Sequence, residues 1–115
     1  MVDVCRGEIW WAALPEPTGS EPGSRRPVVI LQADSFNRSR IRTVIGVGLT
    51  TNLQRADAPG NVLLPSRQTR LPKDCVANIS QLITVDRNDL VECVGPLPVH
   101  LLQRIEDGVR LILEI

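Results

Sequence analysis

The chain has 115 residues, 43% of them hydrophobic, and its 13 basic and 13 acidic side chains give a formal net charge of zero. This length fits one domain spanning residues 1–115, and the hydrophobic content excludes a disordered chain. No run of about 18 apolar residues is present, which excludes a membrane-spanning helix. Three widely spaced cysteines without a CxxC pair favour a reducing cytoplasm, argue against a zinc site and are each expected to be buried.

Short strands separated by turn-forming residues dominate the chain. In chain order, the predicted strands are residues 7–14, 26–33, 42–49, 61–64, 74–79 and 90–94, and residues 82–85 continue the fifth after a bend at Ser80-Gln81. A helical turn is expected at 34–38, a polar loop at 50–59 and a turn at 86–89. Gly46 and Gly48 share one face of the third strand, which indicates a bend or the close approach of another backbone.

The apolar spacing changes to a helical period after Pro98, a residue suited to the first turn of a helix. The apolar positions are Leu101, Leu102, Ile105, Val109, Ile112 and Leu113. Five to seven short strands followed by one amphipathic helix predict a mostly β protein, a small barrel capped by the C-terminal helix.

Arg25-Arg26-Pro27 stands where a loop rich in turn formers meets an apolar run that begins at Val28. Proline is tolerated at the first position of a strand, and it pushes the residue before it toward extended backbone. Arg26 therefore has a restricted backbone and a permanent charge at the rim of the predicted core. A fixed cation at this position suits an anion such as a phosphate.

Basic residues concentrate in the middle of the chain. Between Arg25 and Lys73 the sequence has nine basic and two acidic residues, a balance of +7, and the rest of the chain carries −7. Twelve of the thirteen basic residues are arginine, which binds phosphate in a planar, bidentate way. These charges form a nucleic-acid footprint if they share a face, and none if they scatter over several faces.

Hydroxyl side chains follow the third predicted strand, at Thr50-Thr51. In an antiparallel pair, the start of one strand lies beside the end of the next. If the second and third strands are such neighbours, Arg26 and Thr50 meet although they are 24 positions apart. The sequence thus favours a site made of an arginine and a hydroxyl.

Other catalytic chemistries have weak support. His100 is the only histidine, which excludes a two-histidine acid–base pair within one chain. No carboxylate cluster, phosphate-binding glycine loop or serine–histidine–aspartate arrangement stands out, and no cofactor or metal ion is expected. Trp10-Trp11 either stack on bases or supply one core residue and one residue at a rim or dimer contact.

Five motifs in series resemble the MazF/PemK family of toxins from bacterial toxin–antitoxin systems. They are Arg6-Gly7-Glu8-Ile9-Trp10, Gly19-Ser20-Glu21 through Arg26-Pro27-Val28-Val29-Ile30, Leu49-Thr50-Thr51, Leu71-Pro72-Lys73-Asp74-Cys75-Val76-Ala77 and Gln81-Leu82-Ile83-Thr84-Val85-Asp86. The resemblance extends over residues 6–115. It implies an SH3-like barrel of the CcdB/MazF type, a cytoplasmic homodimer, and a cognate antitoxin whose C-terminal segment covers an RNA groove.

The resemblance also implies an activity: metal-independent, sequence-specific cleavage of single-stranded RNA that inhibits translation and growth. The target is mRNA, with rRNA and tRNA left open, and the products carry 2′,3′-cyclic phosphate and 5′-OH ends. The family's catalytic pair maps to Arg26 and Thr50. The RNA contacts expected around this pair are Glu21, Arg25, Thr51 and Gln81.

In this mechanism the RNA 2′-OH is the nucleophile, Arg26 stabilises the charge on the pentavalent phosphorane, and Thr50 holds a phosphoryl oxygen. The high pKa of arginine makes it a poor proton shuttle, so the general base stays open, with Glu21 as a candidate.

Two other classes of protein remain as alternatives. A toxin of the same fold that poisons DNA gyrase relies on a C-terminal Trp-Gly-Ile, whereas this chain ends Leu113-Glu114-Ile115. A plain RNA-binding module is disfavoured because Phe36 is the only aromatic residue besides the two tryptophans.

Overall fold

The computed structural model of the protein describes residues 3–14 and 24–115. The strands in these ranges are β1 (Glu8–Leu14), β2 (Ser24–Ile30), β3 (Thr43–Thr50), β4 (Val62–Leu64), β5 (Cys75–Asp86) and β6 (Leu90–Pro96). The helices are α1 (Asp34–Asn37), α2 (Ser66–Thr69) and α3 (Val99–Leu113), and 3-10 turns cover Leu53–Asp57 and Arg87–Asp89.

All six strands join one antiparallel sheet in the order β4-β5-β3-β2-β1-β6. The sheet curls into a half-barrel, and the edge strands β4 and β6 are not neighbours in it. The predicted mostly β fold, a small barrel with a C-terminal helix, is confirmed.

Buried side chains form two clusters, one on each face of the curled sheet, as the alternation of side chains along a strand requires. The helix-side core receives α3 and includes Ile9, Val29, Val47, Leu101 and Ile105. The far-side core includes Trp10, Val28, Ile30, Val44 and Leu90. The two tryptophans therefore take opposite faces: Trp10 is buried, and Trp11 is half-buried against the helix-side core.

The bounds of most predicted strands differ by one or two residues, and two strands differ by more. β2 ends at Ile30 rather than Ala33, because the backbone amides of Leu31 and Gln32 both donate to the Ile45 carbonyl, each at 3.0 Å, which interrupts the regular ladder. β5 is a single strand of 12 residues instead of two pieces. The predicted bend is a bulge in it, since Val47 pairs with Leu82 but Leu49 pairs with Ala77.

Glycine permits two close backbone approaches that position these elements. A Cβ on Gly46 would lie 2.6 Å from the Val29 carbonyl oxygen, so β3 approaches β2 more closely there than a side chain allows. A Cβ on Gly108 would lie 2.2 Å from the Gly60 carbonyl oxygen, so α3 packs directly on the backbone that precedes β4.

The burial of the cysteines differs from the prediction. Cys75 is buried at the start of β5, but Cys5 and Cys93 are exposed. Cys93 lies on the edge strand β6. None of the described helices is long and apolar enough to span a membrane.

Candidate active site

Arg26 and Thr50 lie just beyond the paired residues of β2 and β3. The last pair is Val28 with Gly48, and Arg26 and Thr50 are each two positions further along their strands. Both residues line a cavity of about 430 Å³. The fold therefore brings these two distant positions to one cavity.

The cavity lies at one end of the sheet, where β2, β3 and β5 are adjacent. Its lining combines cations and hydroxyls with ring and aliphatic side chains. Its lining residues are Trp11, Arg25, Arg26, Pro27, Leu49, Thr50, Thr51, Leu71, Pro72, Lys73 and Cys75.

Pairing of β2 with β1 fixes the backbone at Arg26. Arg26 pairs with Ala12 of β1, and the next residue, Pro27, pairs with Trp11 and is buried. The Arg26 side chain itself is exposed. Within residues 3–14 and 24–115, no carboxylate forms an ion pair with it. A rigid backbone thus presents a solvated guanidinium at the mouth of the cavity.

Thr50 has a hydroxyl that is oriented by the turn after β3. Its Oγ1 accepts a hydrogen bond of 3.1 Å from the backbone N–H of Asn52, whose own side chain accepts one from Gln54 N at 3.2 Å. Thr50 is half-buried. Because the amide occupies an acceptor site of the oxygen, the hydroxyl proton remains available to donate to an anion.

Arg25 leaves the strand on the face opposite to Arg26, since adjacent strand residues alternate. Its guanidinium lies 5.5 Å from the centroid of the Trp11 ring and 3.0 Å from Glu92 Oε1. More than half of each side chain in this ion pair is exposed, at 55% and 63%, so the pair contributes little stability. The two neighbouring arginines therefore have different surroundings.

The other predicted RNA contacts are distributed unevenly. Thr51 is exposed and lines the cavity beside Thr50. Gln81 is exposed on the β5 bulge and does not line it; a Cβ added to Gly48 would lie 3.5 Å from Gln81 Oε1. Glu21 lies outside the described residues, so its position relative to the cavity stays a prediction.

Lys73 is a cavity residue that the sequence did not single out. It lies two residues before β5 and is exposed. The sequence indicated this residue only by its position: Lys73 directly precedes the predicted strand 74–79 and belongs to the motif that begins at Leu71. Pairing of Thr50 with Val76 brings that run beside the end of β3, and only the sheet order reveals it.

Cys75 is the one buried thiol that lines the cavity among the described residues. Burial, reinforced by the nearby Asp74 carboxylate, raises the pKa of the Cys75 thiol. A raised pKa keeps the thiol protonated, and it donates to the Lys73 carbonyl oxygen at 3.6 Å. Nucleophilic chemistry by a thiolate is therefore not favoured here.

The basic residues do not form one continuous face. Arg38, Arg40 and Arg42 precede β3, whereas the cavity lies beyond its other end at Thr50. Eight strand residues span about 27 Å, so the two groups lie at opposite ends of the sheet. Fewer basic residues therefore surround the cavity than the concentration of charge in the sequence suggests.

Other reactive groups lie away from the cavity. His100 is exposed in the first turn of α3 and does not line it. In residues 3–14 and 24–115, no group of three or more histidine, cysteine, aspartate or glutamate side chains is arranged to hold a metal ion. The polar side chains gathered in the cavity are thus arginine, lysine and threonine, with the Cys75 thiol beside them.

Similar solved structures share this fold. A crystal structure of MazE–MazF from Deinococcus radiodurans has a TM-score of 0.82 at 19% identity and covers 100% of this chain and 99% of that chain. The Mycobacterium tuberculosis toxin MazF-mt6 has a TM-score of 0.76 at 18% identity, covering 94% of this chain and 97% of that chain. At these identities the likeness establishes the fold.

Similar sequences carry the relationship further. Endoribonuclease MazF6 of Mycobacterium tuberculosis is 43% identical over 112 residues, which cover 97% of this chain and 98% of that protein. Endoribonuclease EndoA of Bacillus subtilis is 28% identical over 112 residues, covering 97% of this chain and 96% of that protein. A model of the PemK-like, MazF-like toxins of type II toxin–antitoxin systems matches residues 5–113. The chain belongs to the PemK-like, MazF-like toxin family.

Proposed function

We propose that the chain is the endoribonuclease toxin of a toxin–antitoxin system and that it cleaves single-stranded RNA in the cavity at the end of β2 and β3. The observation that carries this proposal is that Arg26 and Thr50, 24 positions apart in the sequence, line that one cavity. The 43% identical relative, named as an endoribonuclease, supports the same activity.

The reaction needs few groups from the protein, because RNA supplies its own nucleophile. The 2′-oxygen attacks the adjacent phosphorus, a new O–P bond forms, and the bond to the 5′-oxygen of the next nucleotide breaks. The products are a 2′,3′-cyclic phosphate and a 5′-OH. Negative charge develops on the phosphoryl oxygens of the pentavalent intermediate, and this charge is what the site has to stabilise.

Arg26 and Thr50 have complementary roles in this proposal. The Arg26 guanidinium is permanently charged and extends from an ordered strand at the cavity, so it is placed to stabilise the phosphorane. The Thr50 hydroxyl donates to a phosphoryl oxygen and holds the phosphorus in line with the attacking and leaving oxygens. Preorganised donors of this kind are each worth about a hundredfold or more in rate.

Proton transfer is assigned separately. A guanidinium does not deprotonate near neutral pH, and the Cys75 thiol is protonated, so neither accepts the 2′-OH proton. We propose Glu21 as the base; it lies five residues before Arg26 in the sequence. The proton that Glu21 accepts from the 2′-OH then passes to the leaving 5′-oxygen.

Sequence recognition belongs to the rim of the cavity. Thr51 and Arg25, which line the cavity, are proposed RNA contacts, together with Gln81 on the β5 bulge and Glu21. Unpaired bases expose their edges and faces, which is why single-stranded RNA is the substrate in this proposal. The half-buried Trp11, which also lines the cavity, offers a ring face beside them.

The proposal includes three further properties: a homodimer, a cytoplasmic location and a cognate antitoxin whose C-terminal segment covers the cavity. A solved relative is an endoribonuclease in complex with its cognate antitoxin from a mycobacterial species. Exposed apolar residues at the end of α3, among them Leu111, Leu113 and Ile115, are consistent with a contact between copies. Gyrase poisoning is not favoured, since the named relatives are endoribonucleases.

The test is cleavage of a defined RNA with a chelator present. Primer extension maps the cut sites, and end analysis identifies the cyclic phosphate and the 5′-OH. Cuts at a fixed sequence in EDTA support the proposal. Intact RNA, with inhibition of gyrase in a parallel supercoiling assay, would replace it by the gyrase alternative.

A further inference from the structure

Thr50 has cations toward both neighbouring strands. β3 lies between β2, which carries Arg26, and β5, whose Val76 pairs with Thr50; Lys73 precedes Val76 by three residues. Arg26, Thr50 and Lys73 line the same cavity. A single RNA strand that crosses Thr50 therefore meets a second positive charge after Arg26.

The segment that carries Lys73 is fixed at both ends. On one side, Leu71 is buried, and its backbone N–H donates to Thr69 Oγ1 at 3.1 Å. On the other side, Asp74 Oδ1 accepts from the backbone N–H of Ser66 at 2.8 Å. The buried Cys75 follows and donates its thiol to the carbonyl of Lys73.

This arrangement leaves the Lys73 backbone ordered while its side chain is exposed. A cation fixed in this way loses less conformational freedom on binding than one on a mobile loop. It differs from Arg25, which already contacts Trp11 and Glu92. It also differs from Arg67 on the adjacent α2, which is exposed but does not line the cavity.

We propose that Lys73 binds the phosphate next to the scissile phosphate, across Thr50 from Arg26. This inference rests on the proposed cleavage of RNA in the same cavity. Lys73 then acts in binding and not on the transition state. Its ammonium is a compact point charge that suits a single phosphate.

The experiment compares the variants K73Q and K73R with the matched control R67Q, which removes the same charge from the neighbouring helix. The probe is one RNA with a 2′-deoxy substitution at the mapped cut site, so that binding is measured without cleavage. Affinity is measured over a range of salt concentrations, and single-turnover cleavage is measured on the unmodified RNA.

K73Q is expected to weaken binding about tenfold and to reduce the slope of log Kd against log salt by about 0.7, the value for one phosphate contact on a single strand. K73R is expected to keep most of the wild-type affinity and most of the wild-type salt slope. R67Q is expected to change the affinity less than twofold. At saturating protein, the cleavage rate of K73Q stays within a few-fold of the wild-type rate.

Equal affinity and equal salt slope for K73Q and R67Q would overturn the role of Lys73 while cleavage by the wild-type chain still stands. A loss of the single-turnover rate by K73Q with unchanged affinity would also overturn it, because Lys73 would then act on the transition state. If the wild-type chain cleaves no RNA, both this inference and the proposed function fail.

Discussion

Thr50 stands across the β2–β3 pair from Arg26, although 24 positions separate the two residues in the sequence. The antiparallel pairing of β2 and β3 brings both residues to one cavity. The proposed catalytic pair is thus built from strand ends of a rigid sheet.

Removal of the Thr50 hydroxyl tests the proposed phosphoryl contact. Thr50→Val keeps the shape of the side chain and removes the donor, so single-turnover cleavage is expected to fall about a hundredfold. Thr50→Ser keeps the hydroxyl and is expected to stay within about tenfold of wild type. Thermal unfolding of both variants serves as the control. A Thr50→Val protein that is folded and as active as Thr50→Ser would remove Thr50 from the mechanism.

Local patterns predicted the strands and the C-terminal helix because alternation and helical spacing are properties of short segments. The sequence also predicted that Arg26 and Thr50 reach the same end of the sheet, because this requires only that β2 and β3 are antiparallel neighbours. Lys73 was not predicted, because it reaches the cavity through the placement of β5 beside β3, a pairing of distant segments. The concentration of basic residues in the sequence suggested one basic face, but a count of charges does not include distances in the fold. The length of β3 separates Arg42 from Thr50.

Gly108→Ala tests the close packing of α3. The added Cβ would lie 2.2 Å from the Gly60 carbonyl oxygen, and relief of this contact requires backbone movement. Alanine improves helix propensity by up to about 1 kcal/mol, but overpacking costs about 1–3 kcal/mol, so a net destabilisation is expected. Urea unfolding measures it.

The control for Gly108→Ala is Gln103→Ala on the exposed side of α3, with an expected change within about 0.5 kcal/mol. A Gly108→Ala protein as stable as Gln103→Ala would contradict the close contact between α3 and the backbone at Gly60.

Asp34 predicts a pH dependence of stability. Its carboxylate accepts from the backbone N–H of Arg6 at 2.7 Å and from Asn37 Nδ2 at 3.1 Å, and the bond from Arg6 is the main cause that lowers the pKa of Asp34. Because the folded-state pKa is depressed, this stabilisation is present above the unfolded pKa of about 3.9 and is lost as pH falls through the folded value.

Asp34→Asn is therefore expected to be less stable than wild type at pH 7, and the difference is expected to shrink below about pH 4. Urea unfolding at several pH values measures both proteins. A difference that is constant from neutral to acidic pH would contradict an electrostatic origin.

Arg25→Ala is expected to have a small effect on folding, because the exposed ion pair with Glu92 is worth at most about 1 kcal/mol. Its effect on RNA binding is expected to be strongest at low salt, where a rim charge steers association. Association rates at two salt concentrations measure this. If the ratio of the wild-type rate to the Arg25→Ala rate is the same at both salt concentrations, a steering role for Arg25 is contradicted.

The central claim is that Arg26 stabilises the transition state of RNA cleavage, and single-turnover cleavage by Arg26→Ala in the presence of EDTA tests it most directly. The measurement uses one RNA with a mapped cut site, with binding of the 2′-deoxy form and thermal unfolding recorded on the same sample. The account predicts a rate at least about a thousandfold below wild type, with the fold intact and RNA binding within about tenfold. Undiminished cleavage by the folded variant would contradict it.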